Sequence, residues 1–239
     1  MLKKLLTLSF LCVCTYGLAK QPVYSAANSI TFKQGGEIKN FVGNGFLIMH
    51  KGKTYALTAK HVLLETQGSG IKTIAIKDHF ESWKLAPFNV DSGMVTLGKL
   101  INADKTEKLD IQVLKNDWLL LEVIANNSPL VPLKLASKSP QEGQLLSAYG
   151  CSYSNKSDCM QNKYSGHYVK SSDHNLLIEL EMAAENMSTL RGLSGAPVLN
   201  SDNEVVGIVS NVMPDKDSEK VFFAPFSIAP VVAYLEYKG

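Results

Sequence analysis

Short apolar runs closed by Gly, Pro, Asn or Asp recur along most of the chain. FVGNGFLIM (41–49) and KTYALTA (53–59) are joined by HKG, which predicts a hairpin turn. IKTIAIKD (71–78), MVTLGKL (94–100), WLLLEVI (118–124) and LVPLKLA (130–136) follow. GQLLSAYG (143–150), KYSGHYVK (163–170), NLLIELEM (175–182), EVVGIVSN (204–211) and VFFAPF (221–226) complete the set. Val, Ile, Leu, Thr and Tyr dominate these runs, as expected of strands. A helical period emerges only in SIAPVVAYLEYK, where Ile228, Val231, Val232 and Leu235 share a face. The pattern predicts an all-β protein of barrels or sandwiches, closed by one C-terminal helix. IANNSPL (124–130) is the most linker-like stretch and divides the chain into two β units of similar size. The stretch DHFESWKLAPFNVDSG (78–93) is read as a loop.

The first residues, MLKKLLTLSFLCVCTYGLAK, depart from this pattern. Lys3 and Lys4 precede the apolar run Leu5 to Val13, and Gly17 and Ala19 supply the small residues a signal peptidase prefers. The expectation is a secretory leader over 1–19, cleaved after Ala19, with no membrane anchor and a secreted or periplasmic destination. The two leader lysines account for the whole formal charge of +2, leaving zero for the rest. A neutral chain has no electrostatic attraction to nucleic acid or to an anionic membrane. Beyond the leader stand two cysteines, Cys151 and Cys159, flanking a polar loop, and in an exported chain they are expected to pair. Neither CxxC nor HExxH occurs, so no metal site and no cofactor is expected.

All five histidines, His50, His61, His79, His167 and His174, precede Ser194. That order rules out an α/β-hydrolase, which needs its base after the nucleophile. The order His, Asp, Ser remains. His61 follows a buried run in YALTAKHVL, Asp117 opens the strand DWLLLEV, and Ser194 sits between glycines in RGLSGAPVL. GNGFLIMHKGKTYALTAKHVL, DWLLLEV and GLSGAPVLNSDNEVVGIVSN together resemble the three catalytic blocks of trypsin-like serine peptidases, in order, spacing and local pattern. Any one of them alone is weak. Asp110, in LDIQVLK, is a rival for the acid, but the strands that follow lie at the family's distances from Asp117.

The resemblance implies two six-stranded antiparallel Greek-key barrels, here 20–125 and 126–239, with the cleft between them. It implies His61 as general base and acid, Asp117 as its orienting group and Ser194 as nucleophile. The backbone N–H groups of Gly192 and Ser194 would form the oxyanion hole, each such donor being worth about 3 kcal/mol in the transition state. Ser188 would stand at the floor of the primary pocket, with Ser210, Asn211 and Val212 along its wall. Ser210 would also support Asp117. Val212 stands where many relatives carry glycine and should narrow the pocket towards small or medium apolar residues. Val209 occupies the place where the glutamate-cleaving branch carries histidine.

One departure stands out. Leu193 replaces the aspartate that, in digestive members, pairs with a newly cut N-terminus. That leaves open whether the oxyanion turn forms unaided or waits for another trigger. Arg191 lies beside the same turn. The expected activity is a serine endopeptidase acting on polypeptides. Its alternatives are a catalytically silent binding protein and an esterase, both on the same scaffold.

Overall fold

The computed structural model of the protein describes residues 21–238 apart from 35, 77, 78, 90, 91, 156, 183 and 216–219. The expected leader therefore lies outside the described residues. The hairpin read from HKG forms as expected between β3 (Asn44–His50) and β4 (Lys53–Thr58). Lys51 and Gly52 both take positive φ, at 46° and 75°, the two-residue turn whose twist suits paired strands. Phe46, Leu47 and Ile48 are all fully buried, so β3 has no solvent face until it emerges at Met49. A continuous apolar run is the sequence mark of such a strand.

Around this hairpin the first barrel closes. Its remaining strands are β1 (Ala26–Phe32), β6 (Phe80–Ala86), β7 (Val95–Leu100) and β9 (Leu119–Asn126). The antiparallel order β1-β3-β4-β9-β7-β6 returns to β1 through a ladder from Ala27↔Ala86 to Phe32↔Phe80. Short additions lie outside the ring: β2 (Ile38–Lys39) on β1, and a ribbon of β5 (Thr73–Ile74) with β8 (Asp104–Lys108). Ile30, Phe32, Phe46, Leu57, Leu85, Leu97 and Leu119 share one core. Full burial of each stabilises the fold by about 1.5–3 kcal/mol.

Neither β1 nor β6 is read as a strand in the sequence. In β1 the apolar pattern is broken by Asn28, yet Asn28 is fully buried. Its amide donates to Val42 O, Asn44 O and Thr58 Oγ1, and its oxygen accepts from the Trp83 indole. A buried amide with every group paired is compatible with a core strand. β6 occupies the middle of the stretch read as a loop.

The second barrel repeats the plan. Its strands are β11 (Leu145–Gly150), β12 (Asn162–Ser172), β13 (Asn175–Leu180), β14 (Pro197–Leu199), β15 (Glu204–Pro214) and β16 (Val221–Ser227). The order β15-β14-β11-β12-β13-β16 closes through β15–β16, with β10 (Lys134–Leu135) added in parallel on β15. Its core gathers Leu146, Ala148, Leu176, Ile178, Val198, Val206 and Phe223. Leu199, Val205, Ile208 and Phe226 face instead into the core of the first barrel, so the contact between barrels is apolar.

The helix α1 (Ala229–Lys238) buries Val231 and Leu235 in that shared core. Tyr234 of α1 packs edge-on against Trp118 at 5.3 Å and donates to Ile101 O, docking the chain's end on the first barrel. Cys151 and Cys159 form the expected disulfide, tying the end of β11 to the approach to β12 across 5.9 Å between Cα atoms. Among the described residues no helix is long and apolar enough to cross a membrane.

Candidate active site

β4 is buried over its last three residues and ends at Thr58, and the 3₁₀ segment Lys60–Ser69 begins directly after Ala59, the turn that carries His61. Asp117 closes the 3₁₀ segment Ile111–Asn116 and leads into β9, which pairs with β4. That pairing brings the two residues together across 56 positions of sequence. Asp117 is fully buried, and His61 is 19% exposed. Asp117 Oδ2 lies 2.6 Å from His61 Nδ1, and Oδ1 accepts from the His61 backbone N–H at 2.8 Å. Two contacts from one carboxylate fix both the ring and its backbone. From β15 of the other barrel, Ser210 Oγ donates to Asp117 Oδ2 at 2.5 Å. His61 Nε2 lies 2.7 Å from Ser194 Oγ. The four side chains form one hydrogen-bonded line across the two barrels.

Ser194 is held against β15 of the second barrel. The backbone of Val209, on the β14 edge of that strand, bonds to the serine turn, accepting from Gly195 N and donating to Ala196 O, both at 2.8 Å. Gly192 and Gly195 take φ of +93° and +84°, a region that disfavours any side chain. A Cβ on Gly192 would strike the Tyr153 ring, and one on Gly195 would strike Asn44 O and Thr58 Oγ1. Among the described residues neither Gly192 N–H nor Ser194 N–H donates to a protein group. Two unpartnered N–H groups beside a serine hydroxyl are what an anion-stabilising turn requires.

Two hollows flank Ser194. One, of about 410 Å³, is lined by Met187, Leu190, Val209, Val212 and Phe223, with Ser188, Ser210 and Asn211 as polar members. All the residues expected at the primary pocket therefore line one hollow. Ser188 is exposed, and Val212 is 46% exposed at its rim. The other, of about 180 Å³, lies between Gly43, Val62, Glu65, Tyr153, Arg191 and the His61–Ser194 pair. Burial pushes the Tyr153 hydroxyl above its ordinary value, and Glu65 acts in the same direction. The Gly43 N–H and Arg191 oppose them. Arg191 is exposed and borders both hollows.

Asp110 stands apart from this line. Its carboxylate accepts from Gln112 N at 2.9 Å and caps the 3₁₀ segment that leads to Asp117. Sequence reading missed Asn44, Thr58 and Tyr153, all close to the serine turn. The GNG pattern around Asn44 marks a tight approach, but nothing in it specifies which backbone groups the amide meets. Among the described residues no cluster of three or more His, Cys, Asp or Glu is placed to hold a metal ion.

The comparisons with known proteins agree with this fold. The model of the trypsin-like peptidase domain matches residues 43–208, more than half of the chain. The fold is similar to that of a serine endoprotease from Yersinia pestis, with a TM-score of 0.53 and 18% identity over 90% of this chain. The chain spans 62% of the length of that protein. It is also similar to a Glu endopeptidase solved in complex with MPD, with a TM-score of 0.58 and 15% identity over 91% of this chain and 90% of the other. No curated protein sequence matches. Two closed six-stranded barrels, a helix at the end and a family model spanning both barrels leave one assignment: the chain belongs to the trypsin-like peptidase family.

Proposed function

We propose that this protein is a serine endopeptidase working through an acyl-enzyme. The observation that carries the reading is the unbroken line from Ser194 Oγ through His61 to Asp117 and Ser210, beside two backbone N–H groups with no protein acceptor. His61 takes the Ser194 proton as the hydroxyl attacks the peptide carbonyl, then passes it to the leaving amine. Asp117 holds the Nδ1–H tautomer and stabilises the imidazolium that forms. Gly192 N–H and Ser194 N–H receive the developing oxyanion. Water then repeats the sequence in reverse and frees the acid product.

The larger hollow takes the side chain before the scissile bond. Its walls are largely apolar with Arg191 at the border and, among the described residues, no carboxylate lines it to attract Lys or Arg. A medium-sized apolar side chain fits best, with Val212 at the rim restricting the broadest rings. The disulfide and the expected leader support an exported protein acting on polypeptides outside the cytoplasm.

The test is labelling of the purified protein by a fluorophosphonate probe, together with cleavage of a peptide series. Labelling should vanish in Ser194→Ala and fall sharply in His61→Ala and Asp117→Asn, the last by roughly 10⁴-fold because the wrong tautomer is held. A folded wild type that neither labels nor cleaves would sink the proposal and favour a binding role. Cleavage of simple esters without any peptide would favour an esterase.

A further inference from the structure

Leu193 cannot anchor the oxyanion turn by an ion pair. It is fully buried among apolar neighbours of the second barrel, against Gly150. Something else must keep two N–H groups free of protein acceptors, because an unpaired N–H inside a turn favours a flip of its peptide towards any nearby carbonyl. We propose that Asn44 is the positioning residue that holds this turn open, a role that rests on the serine-peptidase reading.

Asn44 begins β3 and is fully buried. Its side-chain nitrogen donates to Gly192 O at 2.7 Å and to Cys151 O at 2.9 Å. Its side-chain oxygen accepts from Cys151 N at 3.0 Å. The amide orientation follows from that last contact, since a backbone N–H can only donate. The Asn44 backbone N–H donates to Ser194 O at 2.7 Å. Its carbonyl accepts from Thr58 Oγ1 and Asn28 Nδ2, which anchor Asn44 in the first barrel. One residue thus grips the carbonyls on both sides of Leu193.

The consequence for one of the two free N–H groups, that of Gly192, follows from peptide planarity. The Ser194 N–H belongs to the peptide whose carbonyl, Leu193 O, accepts from Ala196 N at 3.1 Å. In a trans peptide the C=O and N–H point in opposite directions, so fixing one aims the other. The Gly192 N–H belongs to the peptide whose carbonyl is Arg191 O, and that carbonyl accepts from Tyr153 N at 2.8 Å. Tyr153 is two residues beyond Cys151, whose N–H and C=O are both held by Asn44. Asn44 therefore acts on Gly192 twice. It holds the peptide after Gly192 directly, and it holds the strand end that fixes the peptide before it. Gly150 supports this arrangement: a Cβ there would lie 2.6 Å from Asn44 Oδ1, so the chain leaves room for this amide. Only an amide side chain offers two donors and an acceptor at once. Aspartate in the same volume offers acceptors alone and would face two carbonyls.

The experiment compares wild type with Asn44→Asp and Asn44→Ser in peptide hydrolysis and in affinity for a peptide aldehyde, which forms a tetrahedral adduct bearing an oxyanion. Losing one oxyanion donor outright lowers kcat by roughly 10²–10³-fold, so a misaimed donor should lower it about 10- to 100-fold. KM should stay near its wild-type value, and aldehyde affinity should fall by a factor matching kcat. A merely structural role would lower the unfolding temperature without that match. Folded variants with wild-type kcat, or with lower kcat but unchanged aldehyde affinity, would overturn the proposal. Should neither variant fold, the wild type decides: the Asn44 side-chain amide protons must exchange slowly with solvent, and rapid exchange would overturn the assignment. Wild type that neither labels with the fluorophosphonate nor cleaves peptide defeats the parent reading. Active wild type with an equally active Asn44→Asp defeats this one alone.

Discussion

Reduction of the Cys151–Cys159 disulfide isolates one contribution to stability without removing any atom from the core. The bond spans eight positions of sequence. Closing a loop that short removes unfolded-state entropy worth about 2.5 kcal/mol. Both cysteines are buried among Ala27, Phe88 and Phe41 at the join between the barrels. Reduced thiols can stay in place there, so the native contacts survive and the loss falls on the unfolded chain. For a chain of this size, that loss should lower the midpoint of thermal unfolding by about 5–10 °C. The assay is calorimetry of the same preparation with and without a thiol reductant, with mass spectrometry to verify the redox state. Activity well below the transition should change little, because Asn44 and Arg191 O still hold Cys151 and Tyr153 by hydrogen bonds. Equal midpoints for oxidised and reduced protein would refute the entropic reasoning. Free thiols in the untreated exported protein would refute the bond itself.

Other outcomes follow from individual side chains. Ser210→Ala removes a hydrogen bond to a buried carboxylate, worth about 1.5–3 kcal/mol, and should lower kcat by roughly 10- to 100-fold with KM unchanged in steady-state assays. Asp110→Ala should destabilise the protein by about 1 kcal/mol through loss of a cap, measured by denaturant unfolding, and leave kcat intact. Asp117→Asn should do the reverse. In a peptide library, Leu or Met before the scissile bond should surpass Lys, since among the described residues no carboxylate lines the hollow to pair a buried ammonium and Arg191 at its border repels one. Val212→Gly should raise kcat/KM for Phe and Trp at that position more than for Leu. An unchanged profile would remove Val212 from the pocket rim.

Much of this protein is legible in one dimension because its strongest signals are local. The strand runs, the HKG turn and the period of Ile228, Val231 and Leu235 follow from side-chain alternation and turn chemistry, which need no distant partner. Residue order alone excluded the α/β-hydrolase arrangement, and the strands beyond Asp117 separated it from Asp110. β1 and β6 escaped because each depends on the other. The Asn28 amide and the Trp83 indole that interrupt their patterns satisfy one another only after the barrel has closed. Asn44 escaped for the same reason. As a sequence symbol it is one polar residue between two glycines. Its three side-chain partnerships, at Cys151 N, Cys151 O and Gly192 O, lie more than a hundred residues away and come within reach only when the barrels pack together. Residue type and order name the groups that can do chemistry. Which buried amide aims which peptide is decided by contacts across the two barrels, because hydrogen bonds act over about 3 Å of space and take no account of separation along the chain.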